Sequence, residues 1–310
     1  MTGGGVTVGR VLRQDRLTPG AAADVLTLAR AAGDADGADP LDESVLLRLR
    51  EPTSAAAHHS VRTPEGRLVG YARLDLADPT GAADLDLVVH PAHRRAGLGR
   101  ALAVAALTGA SPESVVRAWA HGDHPAAAAL AVDLGFGRAR VLWQLRRPLT
   151  DLPAVPRPPD GVTLRAFRPG ADDDAWLALN ARAFADHPEQ GRWRLADLRA
   201  RLAEPWFDPA GFLLAVEGAT GRLLGFHWTK VHERPGSAPI GEVYVLGVDP
   251  SAHGGGLGRT LTAAGLAYLR ERRGLGRVML YVDESNAAAM ALYRRAGFAQ
   301  WCAHVNYRRG

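Results

Sequence analysis

Apolar positions recur along the second half of the chain in short runs separated by turn residues. Runs rich in Val, Leu and Tyr with a period of two predict strands, and apolar positions three or four residues apart predict helices. The strands predicted in this half are 161–167, 211–217, 222–232, 241–248, 277–283 and a last segment near 300–308. The predicted helices are 172–184, 257–273 and 286–296.

The first half repeats this order with weaker patterning. Its predicted strands are 67–76, 83–89 and 115–120, and its predicted helices are 99–107 and 125–134. In each half the last helix is followed by Gly-Phe, at Gly135–Phe136 and Gly297–Phe298, which is typical of a left-handed C-terminal cap. The pattern therefore predicts an α/β fold with a mixed sheet, present twice in tandem.

A proline-rich segment separates the two halves. Residues 148–160 read PLTDLPAVPRPPD, and these prolines prevent a helix and favour an extended linker. We therefore expect one domain over residues 1–147 and a second over 161–310. A chain of 310 residues is long enough for two domains of ordinary size, each with its own core.

The most specific signal is a repeated segment of 21 residues. Residues 87–107 read LVVHPAHRRAGLGRALAVAAL, and residues 246–266 read LGVDPSAHGGGLGRTLTAAGL; ten positions are identical. Each copy is predicted to be a strand, a turn, a glycine-rich loop and an apolar helix. A loop of this kind before a helix presents unpaired backbone N–H groups, which can bind an anion.

Composition narrows the class of protein. Hydrophobic residues make up 47% of the chain and charged residues 23%, which describes a globular protein, and no apolar run approaches the ~20 residues of a membrane span. The single cysteine, Cys302, excludes an internal disulfide and suggests a cytoplasmic location. The net charge of +4 is modest and the basic residues are scattered, so we expect neither nucleic acid nor membrane as a partner.

Two motifs carry a resemblance to a known family. The R-x-x-G-x-G pattern at Arg94–Gly99 and the N-x-x-A-x-x-x-Y-x-x-x-G-F pattern at Asn286–Phe298 resemble the GCN5-related N-acetyltransferases. The resemblance implies that acetyl-CoA is the co-substrate and that no metal is needed. The positions that it implies for acetyl-CoA are Leu87, Val88, Val89, Arg94, Arg95, Gly97 and Gly99 in the first half, and Leu246, Gly247, Val248, His253, Gly254, Gly255, Gly256, Leu257, Gly258, Arg259 and Asn286 in the second.

The second half departs from the family pattern at two of these positions. His253 stands where the family prefers Gln or Arg, and Gly255 replaces a frequent Arg. Gly247 lies inside a predicted strand, where glycine is unfavourable unless the backbone bends or is approached closely. The departures at His253 and Gly255 predict weaker phosphate binding or a looser loop.

A narrower resemblance covers the second half. The segments HPEQGRW (187–193), GEVYVLGVDP (241–250) and LYVDESN (280–286) are similar to the mycothiol synthases, a family of tandem acetyltransferases. The activity that this resemblance implies is transfer of acetyl from acetyl-CoA to the cysteinyl amine of cysteinyl-glucosaminyl-inositol. The acceptor is a small molecule, and its contacts by family match are Glu43, Glu189, Lys230, Glu242 and Tyr281.

Two residues are candidates for acid–base catalysis. By the resemblance, Glu242 accepts the amine proton, directly or through water, and Tyr293 donates a proton to the departing thiolate. Read without the family pattern, Glu242 is a carboxylate at a strand edge, Tyr293 is a packed aromatic residue, and Glu43 is a favourable partner of a helix dipole.

Aligning the two halves predicts that chemistry is confined to one of them. Setting Val89 on Val248 places Ala83 opposite Glu242, and setting Gly135–Phe136 on Gly297–Phe298 places Ala131 opposite Tyr293 and His124 opposite Asn286. The first domain is therefore expected to be non-catalytic while still binding acetyl-CoA, and the protein is expected to be a monomer. Two other interpretations stay open, namely a tandem acetyltransferase for another small amine such as an aminoglycoside or a peptide, and a non-catalytic acetyl-CoA sensor.

Overall fold

The protein was analysed as a computed structural model, which describes residues 10–50, 56–76, 81–111, 113–185, 190–233 and 236–310. Its helices are α1 (Pro19–Asp36), α2 (Glu43–Arg50), α3 (Leu98–Leu107), α4 (Pro125–Asp133), α5 (Asp173–Ala183), α6 (Leu195–Leu202), α7 (Leu257–Ala267) and α8 (Ala287–Arg295). Its strands are β1 (Leu12–Gln14), β2 (Ala56–Arg62), β3 (Leu68–Asp75), β4 (Ala83–Val89), β5 (Val116–His121), β6 (Gly137–Pro148), β7 (Val162–Ala166), β8 (Phe212–Glu217), β9 (Leu223–His232), β10 (Ile240–Val248), β11 (Arg277–Asp283) and β12 (Ala299–Arg309).

The chain divides into two compact units. The first contains the chain up to Leu142 together with Cys302–Gly310, and the second contains Trp143–Trp301. In the first unit the strand order is β1-β2-β3-β4-β5-β12, and in the second it is β6-β11-β10-β9-β8-β7, although the division falls within β6 after Leu142 and within β12 after Trp301. Antiparallel pairs dominate both sheets, but β4 pairs with β5 in parallel, and so does β10 with β11. The mixed α/β architecture predicted from the pattern is confirmed.

The division between the units falls at a different place from the predicted linker. Strand β12 pairs with β5 from His304 opposite His121 to Arg309 opposite Val116, so the end of the chain completes the sheet of the first unit. Residues 149–161 contain neither helix nor strand, as their prolines predict. However, Leu149 is buried and its backbone N–H donates to Gly276, which anchors the start of this segment in the second unit. Strand pairing, rather than proline content, decides where the units separate.

Both faces of each sheet are covered by helices. In the first unit one apolar cluster lies under α3 and another packs against α1 and α2. In the second unit an aromatic cluster that includes Trp176, Phe212 and Trp228 lies under α5 and α6, and an aliphatic one lies under α7 and α8. The predicted left-handed caps are confirmed, since Gly135 and Gly297 have φ of 77° and 82°. No helix in the described residues is long and apolar enough to cross a membrane.

A buried histidine fixes helix α7 against the sheet. His227 lies on β9 and is fully buried, and its Nδ1–H donates to the carbonyl oxygen of Leu261 at 2.7 Å. Burial lowers its pKa to about 4, so the ring is neutral at pH 7. The ring occupies the space beside Gly265 where a side chain would otherwise lie. Because α7 starts at the glycine-rich loop, this contact also fixes the direction of the helix axis behind that loop.

We predict that Gly265→Ala destabilises the protein, because its Cβ would overlap the ring of His227. Overpacking of this kind costs about 1–3 kcal/mol. The matched control is Gly20→Ala in α1, where an added Cβ meets no atom within 4 Å. That change should leave the free energy of unfolding unchanged or raise it by up to about 1 kcal/mol. Urea unfolding of both variants measures the difference, and equal stabilities would contradict the account.

Candidate functional site

In the second unit, two parallel strands separate after a short paired stretch. Strand β10 pairs with β11 over Gly241–Val243, opposite Val278–Leu280. A β-bulge then follows at Tyr244, between Val243 and Val245, and the end of β10 continues beside β9. A bulge bends its strand and increases the local twist. The backbone of Leu246, Gly247 and Val248 therefore borders an opening between the strands, where an extended ligand can pair with it.

Gly247 is required by packing as well as by position. An added Cβ would lie 2.7 Å from the ring of Phe226 and 3.1 Å from that of Phe184. The rings of Phe226 and Phe184 therefore approach the backbone so closely that only glycine fits at this position of the strand. Val88 takes the same place in the first unit, where its side chain is buried.

The glycine-rich loop of the second unit has the backbone of an anion site. Gly254 and Gly256 have φ of 84° and 80°, a left-handed conformation that suits glycine, and α7 begins at the next residue, Leu257. The first backbone N–H groups of α7 have no partner within the helix and can donate to phosphate oxygens. Asp249 fixes the start of the loop by accepting from the backbone N–H of Ser251 at 3.0 Å.

His253 has an observable role in this loop. Its Nε2–H donates to the carbonyl oxygen of Val248 at 3.1 Å. In the first unit Arg94 stands at the same position of the repeat, and its Nε donates to the carbonyl oxygen of Val89 at 3.1 Å. The imidazole therefore replaces the guanidinium as the tie between loop and strand, although the departure from the family residue had predicted a loosened loop.

The carboxylate of Glu242 is buried at the start of β10. Only 6% of the residue is exposed, and Oε2 accepts from Nε2–H of His232 at 2.6 Å. Lys230 is its direct neighbour on β9. Cross-strand neighbours share a face of a sheet, so Glu242 and Lys230 lie on the face that α5 and α6 cover. The contact with His232 orients the carboxylate of Glu242 beside Lys230.

Aromatic rings surround the ammonium group of Lys230. Its Nζ lies 4.5 Å from the centre of the Trp206 ring and 5.1 Å from that of Tyr244. The hydroxyl of Tyr244 accepts from Nε of Arg201 at 2.7 Å. Cation–π contacts hold both the charge and the rings in place. The single lysine of the chain is thus part of an ordered polar and aromatic wall beside Glu242.

A second polar group lies along β11. Tyr281 is 40% exposed, and its hydroxyl accepts from Nε2 of Gln144 at 2.7 Å. Arg146 in turn donates from Nε to Oε1 of Gln144 at 2.8 Å. Tyr281 lies two residues beyond Met279, the register partner of Glu242, so it projects to the same face. The face of the sheet that carries Glu242 and Tyr281 therefore offers several hydrogen-bonding groups.

Tyr293 and Asn286 are both on the final helix. Tyr293 is 7% exposed and packs against the ring of Phe298, with ring centres 5.7 Å apart. Burial raises the pKa of Tyr293 above its ordinary value, so the phenol stays protonated and can act as an acid. Asn286 is the N-cap of α8, where Oδ1 accepts from the N–H of Ala289 at 3.0 Å. The side chain of Asn286 therefore orients the helix that carries Tyr293.

The strand registers correct one pairing between the two halves. Because β10 contains a bulge and β4 does not, Asp84 and not Ala83 is the counterpart of Glu242. The carboxylate of Asp84 accepts from Nε and Nη2 of Arg117 at 2.9 and 3.0 Å. Arg117 stands where the second unit has Met279. The first unit therefore keeps an acid at this position, but a bidentate ion pair holds it.

The remaining predicted residues lie elsewhere. Glu43 is in the first turn of α2, in the first unit. Glu189 lies outside the described residues. Among the residues that the structure describes, no group of three or more His, Cys, Asp or Glu side chains could hold a metal ion.

The pattern of the sequence did not single out His232, Trp206, Tyr244 or Gln144. One signal was available for His232, because it alternates with Lys230 along a strand and so shares its face. Trp206 and Gln144 reach the site from other elements, and their places depend on tertiary packing.

Comparison with known proteins finds that the chain is similar to acetyltransferases. The family model described as Acetyltransferase (GNAT) family matches residues 28–136 and 175–298. The chain is 72% identical over 300 residues to "Mycothiol acetyltransferase" of Salinispora arenicola (strain CNS-205), covering 97% of each chain. It is 56% identical to the protein of the same name from Thermobispora bispora, covering 95% of this chain and 98% of that one.

Solved structures show the same fold. A GCN5-related N-acetyltransferase from Sphaerobacter thermophilus is 28% identical, with a TM-score of 0.69 over 96% of this chain and 95% of that one. A tandem GNAT protein from the clavulanic acid biosynthesis pathway is 24% identical, with a TM-score of 0.75, over 97% of this chain and 98% of that one.

We predict that Gly256→Ala raises the KM for acetyl-CoA, because its φ of 80° is unfavourable for alanine by about 1 kcal/mol or more. The distorted loop would present its N–H groups less well, and the increase should be about five- to tenfold. The matched control, Gly170→Ala, has the same φ of 80° but lies outside the loop, and an added Cβ there meets no atom within 4 Å. Equal KM values for the two variants in steady-state kinetics would contradict the binding of acetyl-CoA by this loop.

Proposed function

Since the chain belongs to the acetyltransferase (GNAT) family, we propose that it transfers acetyl from acetyl-CoA to the cysteinyl amine of cysteinyl-glucosaminyl-inositol, the last step of mycothiol biosynthesis. The observation that carries the proposal is the identity of 72% to a mycothiol acetyltransferase along 97% of both chains. The polar and aromatic face beside Glu242 suits a polyhydroxylated acceptor, which needs hydrogen-bonding groups rather than an apolar slot.

We propose that the second unit performs the transfer. The backbone of Leu246–Val248 and the loop 253–259 would hold acetyl-CoA, with the thioester beside the open end of β10. The neutral acceptor amine attacks the thioester carbonyl carbon, and Glu242 takes the proton that the nitrogen loses as the carbon–nitrogen bond forms. Backbone N–H groups of β10 stabilise the oxyanion. When the carbon–sulfur bond breaks, the thiolate leaves with its electron pair and takes the phenolic proton of Tyr293.

His232 would orient this base. Its N–H donates to Oε2 of Glu242, which leaves the other carboxylate oxygen to face the amine. The side chain of His232 is 29% exposed, so it also offers a route by which the proton can reach solvent. Lys230, Tyr281 and Glu189 would bind the acceptor, and Glu43 would add a contact from the first unit.

The first unit is proposed to bind acetyl-CoA without catalysing transfer. It has the same cradle, meaning the glycine-rich loop and the start of the helix that follows it. The backbone is left-handed at Arg95 and Gly97, and α3 starts at Leu98. Its acid, Asp84, is held by Arg117, and Ala131 replaces the phenol of Tyr293. We further propose that the enzyme acts as a cytoplasmic monomer, since a single cysteine and two tandem domains favour this.

The proposed acceptor is tested by acetyl-CoA consumption with a panel of amines. We expect fast turnover with cysteinyl-glucosaminyl-inositol and slow turnover with aminoglycosides and peptides. Turnover with only one of those other amines would support acetyl transfer but contradict the proposed acceptor. Binding of acetyl-CoA with no turnover on any amine would instead favour a sensor.

The proposed base is tested by Glu242→Gln. We expect kcat to fall by about 10²–10⁴, because the amide cannot accept the amine proton. The control is Glu233→Gln, an exposed carboxylate three residues beyond Lys230 on the same hairpin. Thermal unfolding of both variants separates a loss of chemistry from a loss of fold. An unchanged kcat in Glu242→Gln would remove this residue from the mechanism.

A further inference from the structure

Helix α4 of the first unit is loosely packed. It reads PAAAALAVD, and none of its residues, all of which the structure describes, is buried. Helix α8 is its counterpart in the second unit, and there Met290 and Tyr293 are buried. A helix of this composition would ordinarily bury one apolar face. The core beneath α4 therefore lacks the buried side chains that fill the core beneath α8.

A cavity of about 90 Å³ lies beneath this helix. Its walls include Leu85 and Leu87 of β4, Trp119 of β5, and Leu130 and Ala131 of α4. None of the described residues that line it carries a charge. A cavity with such walls favours alkyl groups over polar ones.

The cavity takes the place that the ring of Tyr293 fills in the second unit. Leu130 approaches Gly99 just as Leu292 approaches Gly258, so the two helices sit alike on their loops. The N–H of Phe136 donates to the carbonyl oxygen of Ala131, as that of Phe298 does to Tyr293. Ala131 is therefore the structural counterpart of Tyr293, and its missing ring leaves the space open.

The cavity also borders the opening between two strands. The parallel pairing of β4 with β5 runs from Ala83 opposite Val116 to Leu85 opposite Ala118. The lining residues Leu87 and Trp119 follow directly after that stretch. This is the first unit's equivalent of the opening that borders Leu246–Val248, so the cavity adjoins the place where a thioester would lie.

We propose that the first unit binds acyl-CoA with an acyl chain longer than acetyl, of about four to six carbons, and that the chain occupies this cavity. An apolar cavity of about 150 Å³ holds benzene, so about 90 Å³ holds up to about four carbons beyond acetyl. The inference rests on the proposed function, because that function places acyl-CoA in this cleft. The first unit would then differ from the second in the acyl group that it prefers.

The experiment uses the full chain carrying Gly258→Glu, which places a carboxylate in the second unit's cradle and leaves the first as the binding site. Calorimetry measures the binding of acetyl-CoA, butyryl-CoA and succinyl-CoA, the last with the length of butyryl and a terminal charge. Ala131→Phe is added to fill the cavity. The matched control is Ala129→Phe, on the exposed side of the same helix. Ala131→Leu replaces Ala131→Phe if thermal unfolding shows that the latter does not fold.

We expect butyryl-CoA to bind, and succinyl-CoA to bind at least about tenfold more weakly. Filling the cavity should weaken butyryl-CoA by about tenfold, the contribution of two buried methylene groups, with little effect on acetyl-CoA. Ala129→Phe should change neither ligand. Equal effects of the two substitutions, equal binding of butyryl-CoA and succinyl-CoA, or no binding of acyl-CoA by the Gly258→Glu chain would overturn the inference. Turnover of acetyl-CoA by the unsubstituted protein reports separately on the proposed function.

Discussion

The constraint on which the site depends is the early separation of two parallel strands in each unit. Strands β4 and β5 pair over three residues, and so do β10 and β11. A glycine-rich loop and the start of a helix follow the open strand in both units. These features supply backbone N–H groups along one ligand, first beside a strand and then at a helix N-terminus. Because they belong to the backbone, both units keep them while their side chains differ.

The side chains at this site differ between the two units. In the second unit, Glu242 accepts a single hydrogen bond from a partly exposed histidine, and a protonated phenol lies on the last helix. In the first unit, the carboxylate of the corresponding residue, Asp84, accepts from Nε and Nη2 of Arg117. This ion pair occupies both oxygens of the carboxylate of Asp84. A bulge at Tyr244 accompanies this difference, since β10 is bent where β4 is regular.

Much of this could be predicted from the sequence, because the signals are local. The loop glycines, the helix caps and the predicted strands depend on neighbouring residues, and the structure has them where the pattern placed them, although the pattern did not predict β1, β2 or β6. Three features could not be found in this way. The bulge adds one residue to β10, so a gapless alignment chose Ala83 over Asp84. Strand β12 joins the sheet of the first unit by pairing over long range. The wall around Lys230 is assembled from separate elements.

The central claim is that one of two equivalent cradles supports catalysis. Gly99→Glu and Gly258→Glu make the same change at the same position of the repeat, at the second residue of α3 and of α7. The most direct measurement is the rate of acetyl transfer to cysteinyl-glucosaminyl-inositol by the full chain carrying each substitution. We expect Gly258→Glu to abolish transfer and Gly99→Glu to retain it. Transfer that persists in Gly258→Glu and is lost in Gly99→Glu would contradict the account.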